Sequence, residues 1–400
     1  MLNLVIVTRQ FPYGKSETFL ESEILILSKY FKSITIYPST SSIDVRELPS
    51  NVFVNNLICK DYENKFKWCL KAIMTLHFYK IIFTNFSKIL SLKKAKELFK
   101  YLVSYTIYSN KLPTLISENN NNLIYSYWYN AFVDSFCEHN KAGRKIVTRV
   151  HRGDLYEEIS QLCFFPGREC SITKVDRVFS ISDDGYSYLK NKYNTNNISV
   201  SKLGAIDNNF IAKSSSSNKF SIVSVSNVIA VKNVGLIASV IKKFSKKNPG
   251  VEIVWNHFGD GDMLPEIKKD IYNENLENLK SIFHGRVSNK KIFEFYSNNA
   301  VDVLINLSSS EGIPVSMMEA ISFGIPILAT DVGGVSEIVN EKTGFLIDLE
   351  TNQNVICNYL KKMYDNPKDR MEVRNYWLAN YSASTNYKKF AEELVLLSQI

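Results

Sequence analysis

The stretch Asn306–Asn340, NLSSSEGIPVSMMEAISFGIPILATDVGGVSEIVN, leaves the chain few choices of fold. The apolar run Val301–Leu307 leading into it reads as a buried parallel strand. A polar break, Ser308-Ser309-Ser310-Glu311-Gly312, follows, and Pro314 suits the first turn of a helix, where a missing N–H costs nothing. That helix is predicted to run to Phe323, with Gly324 in the left-handed position after it and Pro326 blocking continuation. Ile325–Thr330 is the next strand, and Val332-Gly333-Gly334 is a second glycine loop before a short helix at Val335–Val339. Two strand-to-helix corners therefore lie side by side, each with free N–H groups and the positive end of a helix dipole, which suits a phosphate. Two carboxylates accompany them. Glu311 is on the first loop, and Glu319 is eight residues later, about two turns into the helix and on roughly the same face. A phosphate alone would not want them. A nucleotide sugar would, because ribose and pyranose hydroxyls are donors that a carboxylate accepts in pairs. Helix capping and solvation would explain an isolated pair of glutamates better; the Gly-Ile-Pro, Ser-Phe-Gly-Ile-Pro and Val-Gly-Gly order around this pair reverses that preference.

Glu311 and Glu319, set in Glu-Gly-Ile-Pro and Glu-Ala-Ile-Ser-Phe-Gly-Ile-Pro-Ile-Leu-Ala-Thr, resemble the E-x7-E signature of family 4 glycosyltransferases, which are retaining enzymes of the GT-B fold. Weaker matches extend the resemblance over most of the chain, closest to the bacterial transferases that build capsule, exopolysaccharide and lipopolysaccharide. The resemblance implies an α/β protein of two Rossmann-like domains facing each other across a cleft, with a C-terminal helix crossing back to the first domain.

The remaining sequence is compatible with this. At 400 residues two domains of ordinary size are expected, and a 45% hydrophobic content supplies their cores. The net charge of +8 is moderate for the length and does not indicate nucleic acid. Six cysteines, at positions 59, 69, 137, 163, 170 and 357, form no C-x-x-C pair, which argues against a zinc site or a disulfide framework and fits a reducing cytoplasm. Met1–Thr8 is strand-like and lacks the basic region and cleavage site of a leader, and no run of about 18 apolar residues suggests a transmembrane helix.

Along the first half, Leu2–Thr8 is predicted as a strand, Arg9–Ser16 as its loop, and Glu17–Tyr30 as a helix with Thr18 and Glu21 as a capping pair. Gly14 is the one glycine of that loop. A plain turn explains it as well as a phosphate site does. Relatives of the family often carry two glycines here, near the donor phosphates and acceptor, and on that match Gly14 is assigned to the donor. Ser33–Tyr37 is the next strand. Leu123–Tyr127, Asn130–Asn140 and Lys145–Val150 read as strand, helix and strand. His151-Arg152-Gly153-Asp154 follows at the strand's C-terminal end, where open parallel sheets keep their ligands. A lone histidine is more often structural; the position of His151, and its match to the family's histidine beside the donor sugar, make it a site residue, with Asp154 orienting the loop. Arg177–Ile181, Asp183–Lys190 and Ile198–Leu203 complete this half.

Between these elements Tyr62–Tyr108 has another character: nine lysines, from Lys65 to Lys100, interleave with Phe, Trp, Ile, Leu and Tyr in a helical pattern. Such a face lies equally well on an anionic membrane surface or in solvent as ordinary helices.

Gly204–Lys219, with four serines in a row at 214–217, reads as a linker. Domain boundaries are thus expected at 1–203, 204–219 for the linker, 220–376, and 377–400 for the returning helix. Phe220–Ser226 opens the second half, and Lys232 follows its loop. The family has an Arg and a Lys five apart here, both on the donor phosphates; the Lys is matched by Lys232, while the Arg position is Asn227, so Arg286 or another cation would have to substitute. Gly259-Asp260-Gly261-Asp262 resembles the family's Gly-x-Gly loop after the strand Val251–Phe258. Asp260 and Asp262 also make a D-x-D triplet, which binds metal in GT-A transferases, but a β-turn explains it better in this setting and no metal is expected. Ser281–His284, Gly285-Arg286-Val287 and the helix Ser288–Ser297 lead back to the central stretch; the resemblance implies that the loop after this strand borders the nucleotide base.

The resemblance therefore implies transfer of a sugar from a UDP- or GDP-linked donor to a glycan or lipid-linked acceptor in surface polysaccharide synthesis. The enzyme would be cytoplasmic, at the inner face of the membrane if residues 62–108 make a peripheral contact. His151, Lys232 and Glu311 would be catalytic. Gly14, Gly259, Gly261, Arg286, Gly312, Ile313, Pro314, Val315 and Glu319 would bind the donor, with Glu311 on sugar hydroxyls and Glu319 on the ribose. The alternatives are a GT-B nucleotide-sugar epimerase, which needs no acceptor, and a dinucleotide-dependent oxidoreductase, which would want G-x-G-x-x-G where Arg9–Ser16 stands. A non-catalytic assembly subunit would not be expected to retain Glu311, Glu319 and Lys232.

Overall fold

In the computed structural model, which describes residues 2–14, 17–62, 65–118, 123–140 and 143–399, the alternation of apolar runs with amphipathic helices resolves into two parallel sheets. The first sheet contains β1 (Asn3–Thr8), β2 (Ser33–Pro38), β3 (Val52–Val54), β4 (Leu123–Ser126), β5 (Lys145–Val150), β6 (Arg177–Ser180) and β7 (Ile198–Val200). Their spatial order is β3-β2-β1-β4-β5-β6-β7. The second contains β8 (Lys219–Val225), β9 (Glu252–Phe258), β10 (Leu279–Phe283), β11 (Val303–Asn306), β12 (Ile327–Thr330) and β13 (Gly344–Ile347), in the order β10-β9-β8-β11-β12-β13. Every pairing between strands is parallel. Central strands such as β4 and β11 are buried along their whole length, because parallel sheets carry helices on both faces.

The chain divides into two compact units, residues 1–203 with 384–400, and residues 204–383. In the first unit alternate residues of one strand feed two cores. Leu123 and Tyr125 of β4, Val147 of β5 and Phe179 of β6 face one side; Ile124, Ile146 and Val178 face the other. The last helix, Ala383–Gln399, covers the first of these faces with Phe390, Ala391, Leu394 and Leu397.

Several expectations are corrected. The tail is not one helix from Trp377. One helix, Arg370–Asn380, ends inside the second unit, and a new one starts at Ala383. The break has a backbone cause: Ala205 N–H donates to the Tyr381 carbonyl, and Ala383 N–H to the Ala205 carbonyl, so beyond Tyr381 the chain bonds to the neighbouring segment at Ala205 rather than to its own helix. Gly204 permits that approach, since a Cβ there would lie 2.5 Å from Ala383 Cα. Residues 204–219 do not float as a linker. They run pinned along the second unit through bridges at Ala205–Ser382 and Lys213–Ala300, with Ala212 buried. Thr18 and Glu21 form no capping pair, because Thr18 has helical backbone angles and makes no side-chain cap, while Glu21 pairs with Arg46 at 3.1 Å. The short helix after the second glycine loop is 3-10, over Gly333–Glu337, since Gly333 takes a left-handed φ of 56° and turns the chain earlier. Lys15 and Ser16, the end of the predicted first loop, lie outside the described residues.

Within the first unit one charged pair lies wholly inside. Arg149 of β5 donates to Glu23 at 2.5 Å and to Ser201 Oγ at 3.1 Å, and its guanidinium lies 4.2 Å from the Phe390 ring centroid. Both side chains of the Arg149–Glu23 pair are 0% exposed. Removing one partner strands the other charge in a low-dielectric interior, which typically costs about 3–5 kcal/mol. Arg149→Ala should therefore lower the stability of the first unit by about that amount, read as a shifted urea midpoint of the transition that exposes Tyr125 and Tyr127. An unshifted midpoint would show that the pair does not hold the last helix in place.

Candidate active site

In the second sheet the order reverses between β8 and β11. Connections leave those two strands in opposite directions and open a crevice outside their C-terminal ends, the usual ligand position of such sheets. The loops that follow these strands carry the predicted residues. Lys232, after β8, places Nζ 2.5 Å from Oε1 of Glu311, after β11. Glu311 is buried, and Asn306, the last residue of β11, donates to the same oxygen at 3.4 Å. Asn233, left-handed at φ 48°, reaches across the crevice from its side chain to the Leu307 carbonyl at 2.9 Å. Ser309 N–H donates to the Val231 carbonyl at 2.9 Å. The two loops are thus tied together by backbone and side chain before any ligand arrives.

The glycine loops are close-packed on each other. Gly334 N–H donates to the Gly312 carbonyl at 3.1 Å, and a Cβ on Gly333 would fall 2.1 Å from the Glu311 carbonyl oxygen. Only glycine fits there, both for its φ of 56° and for space. Ile313 is buried against Gly334, and Pro314 precedes the helix Val315–Ser322, whose first N–H groups open into the same corner. Glu319 lies further along that helix. It is buried, and its Oε1 accepts from Asn289 Nδ2 at 2.6 Å. Burial, only partly countered by Asn289, raises its carboxyl to about 8, so at neutral pH it holds a proton.

A third corner gathers the ends of β8, β9 and β10. Gly259 pairs with Gly285, and Val228 N–H donates to the Asp260 carbonyl at 2.9 Å. A Cβ on Gly261 would lie 2.3 Å from the Val228 carbonyl oxygen. The Asp260-Gly261-Asp262 segment is therefore a packed turn. Arg286 donates to Asn227 Oδ1 at 3.3 Å, so a guanidinium stands beside the position where the resemblance expects an arginine.

In the first unit His151 lies at the end of β5, between Tyr127 and Trp128, with ring centroids 4.6 and 4.5 Å away. It is buried, and neither ring nitrogen has a hydrogen-bond partner. Burial and the neighbouring Arg149 charge hold its pKa well below the usual histidine value, so the ring is neutral. Asp154 accepts from the backbone N–H of His151 at 2.6 Å and of Tyr129 at 2.7 Å, orienting the loop as expected.

Sequence reasoning missed Asn289, Asn306, Glu17 and Trp128. Glu17, at φ 56°, curls back so that its carboxylate accepts three consecutive backbone N–H groups, from Arg9 at 3.1 Å, Gln10 at 2.7 Å and Phe11 at 2.6 Å, and also the Trp128 indole. The loop that holds Gly14 is thus folded around the chain's own carboxylate. Asn306 had a local signal, as the last polar residue of a strand facing a loop. Asn289 lies 30 residues from its partner and had none.

Residues 206–377, inside the second unit, match the family model described as glycosyl transferases group 1. The chain is 27% identical over 266 residues to the O-antigen biosynthesis glycosyltransferase WbnH of Escherichia coli, covering 66% of this chain and 70% of that one. Among solved structures, the apo form of the lipopolysaccharide outer core galactosyltransferase WaaB superposes with a TM-score of 0.70 at 14% identity, covering 100% of both chains. HepE of Anabaena in complex with UDP and glucose superposes with a TM-score of 0.62 at 16% identity, covering 99% of this chain and 100% of that one. The architecture is that of the GT-B glycosyltransferases, and the chain is a glycosyltransferase.

Proposed function

We propose that this glycosyltransferase moves a sugar, with retention at the anomeric carbon, from a UDP- or GDP-linked donor to a glycan or lipid-linked acceptor of a surface polysaccharide, as a family 4 enzyme working at the inner face of the cytoplasmic membrane. The observation that carries the proposal is the Lys232–Glu311 pair in the β8/β11 crevice, with Glu319 further along the helix that begins there. The UDP and sugar in the related complexes support the donor class.

In this reading the diphosphate lies at the start of the Val315 helix. Lys232, Arg286 and the N–H groups of Gly312, Ile313 and Val315 neutralise the charge that grows on it as the bond from the anomeric carbon to the β-phosphate oxygen breaks. The acceptor hydroxyl oxygen bonds to that carbon on the same face, and its proton passes to the departing phosphate oxygen. The products are a glycoside and a nucleoside diphosphate. Glu311 accepts hydroxyls of the donor sugar and faces the positive charge at the anomeric carbon. Glu319 accepts the two ribose hydroxyls, and Asn289 fixes its carboxyl. Gly259 and Gly261 shape the walls by letting backbones approach, and the Ile313 side chain packs against Gly334. For the first unit the proposal is narrower: the unpartnered neutral imidazole of His151 bonds a hydroxyl of a bound sugar, and Gly14 keeps its loop turned.

Two outcomes test this. A carboxylate accepts both ribose hydroxyls whereas a carboxylic acid accepts them less well, so binding should expel the Glu319 proton. Nucleoside diphosphate affinity should then rise with pH and level off above about 8. Glu319→Gln should flatten that profile and, at high pH, weaken binding about ten- to a hundredfold, the loss of roughly 1.5–3 kcal/mol for bonds to a charged group. Glu311→Gln should leave diphosphate affinity alone and lower kcat. Calorimetry beside steady-state kinetics separates the two, and equal effects on diphosphate affinity would overturn the division. Secondly, Arg286→Ala should weaken diphosphate binding, and Asn227→Arg in the same chain should restore most of it. A double variant as weak as the single one would mean that Arg286 does not stand in for the missing arginine.

A further inference from the structure

Residues 65–96 hold eight lysines and no Asp or Glu, so this short segment carries the same +8 as the entire chain, and the remainder is neutral. The same segment concentrates exposed apolar surface: ten of the large hydrophobic side chains that stand exposed lie between residues 66 and 92. Both features belong to two consecutive helices, Lys65–Ile73 and Leu76–Asn85, to the turn that follows them, and to the first residues of the helix Leu92–Glu118, which hold Leu92, Lys93, Lys94 and Lys96.

These helices have two apolar faces where a solvated helix has one. In the first, Trp68 and Ala72 are buried against Val103 and Ile107. Phe66, Leu70 and Met74, at spacings of four, are exposed on another side, Met74 by 84%. In the second, Ile81 and Asn85 are buried, while Leu76, Tyr79 and Phe83 stand outward at helical spacing, Leu76 and Phe83 by 89% and 86%. Phe86, Leu90 and Leu92 continue the exposed set through the following turn, Leu92 by 91%. Side chains at spacings of three and four share one face of a helix. The inner stripe accounts for folding and the outer stripe does not.

We propose that the outer face of residues 66–92 inserts into the headgroup region of an anionic lipid bilayer. The chemistry selects this occupant. Lysine is depleted at the core of protein–protein interfaces, whereas here it flanks every apolar turn. A nucleic acid would match the charge but not the outward Leu, Phe and Met. An interfacial helix wants both: apolar side chains below the headgroups and lysines at their level. The inference deepens the reading of a lipid-linked acceptor and rests on it only for the purpose of the contact. It also alters what charge alone would give, because insertion is not screened by salt while the lysine attraction is.

The test is co-sedimentation of the full chain with vesicles of phosphatidylglycerol and phosphatidylethanolamine, against phosphatidylcholine vesicles, at low salt and at about 0.5 M NaCl, where screening falls to a few ångströms. The expected result is binding to the anionic vesicles that weakens in high salt but persists. Leu76→Ser, Phe83→Ser and Phe86→Ser together should reduce it at least tenfold at both salts. Lys93→Glu, Lys94→Glu and Lys96→Glu together should reduce it mainly at low salt. Circular dichroism and unchanged nucleoside diphosphate affinity show that the variants are folded, and they report the donor site separately, so failure here leaves the transferase reading standing and failure of nucleotide binding leaves this one standing. Binding abolished by salt and indifferent to the triple serine variant would reduce the contact to charge. Absence of vesicle binding together with a concentration-dependent dimer that the serine variant dissolves would assign the face to a second copy. Either result overturns the proposal.

Discussion

The reversal of strand order between β8 and β11 is the constraint on which the second unit is built. In an all-parallel sheet every strand delivers its C-terminal end to the same edge, so chemistry can be placed only there. At the reversal no helix crosses over, and two loops meet with room between them. Lys232 comes from one and Glu311 from the other, and their ion pair exists because the register of β8 and β11 brings the two loop starts level. The close approach of Gly333 to the Glu311 backbone then fixes the next loop, so a position far from the chemistry in sequence becomes part of its wall.

The first unit has the same kind of corner between β1 and β4 and treats it differently. Three successive N–H groups after β1 form a concavity suited to an anion. In this structure the Glu17 carboxylate already fills it, held also by the Trp128 indole after β4. Trp128 packs at a tilt beside His151. Equivalent geometry thus gives a polar crevice with paired charges in one unit and, in the other, a self-filled loop that supports an aromatic histidine pocket. The buried Arg149–Glu23 pair lies beneath that pocket, and Arg149 helps keep His151 uncharged.

Much of this was legible before any coordinates. The central stretch forecast its strands and its helix within about two residues at each end, because glycine, proline and apolar runs act locally. The pairing of Lys232 with Glu311 could be expected only from their loops. What stayed hidden depended on distance along the chain. Asn289 has no local mark that ties it to Glu319, the break after Tyr381 coincides with an isolated backbone bridge to Ala205, far away in sequence, and Glu17 folds onto residues that a helix prediction would never pair with it. The basic and apolar character of residues 62–108 was legible, and a membrane surface was one of its two readings, but which apolar stripe of these helices the core uses was not.

Hydrogen–deuterium exchange of the full chain with and without saturating UDP or GDP gives the most direct reading of where the donor is held. Slowed exchange at residues 226–233, 284–289 and 308–319, with residues 123–156 unchanged, is the expected pattern, because the backbone of those corners would border the diphosphate and lose access to solvent. Protection confined to the loops after β1, β4 and β5, with the β8 and β11 loops exchanging as before, would contradict the assignment of the nucleotide to the second unit.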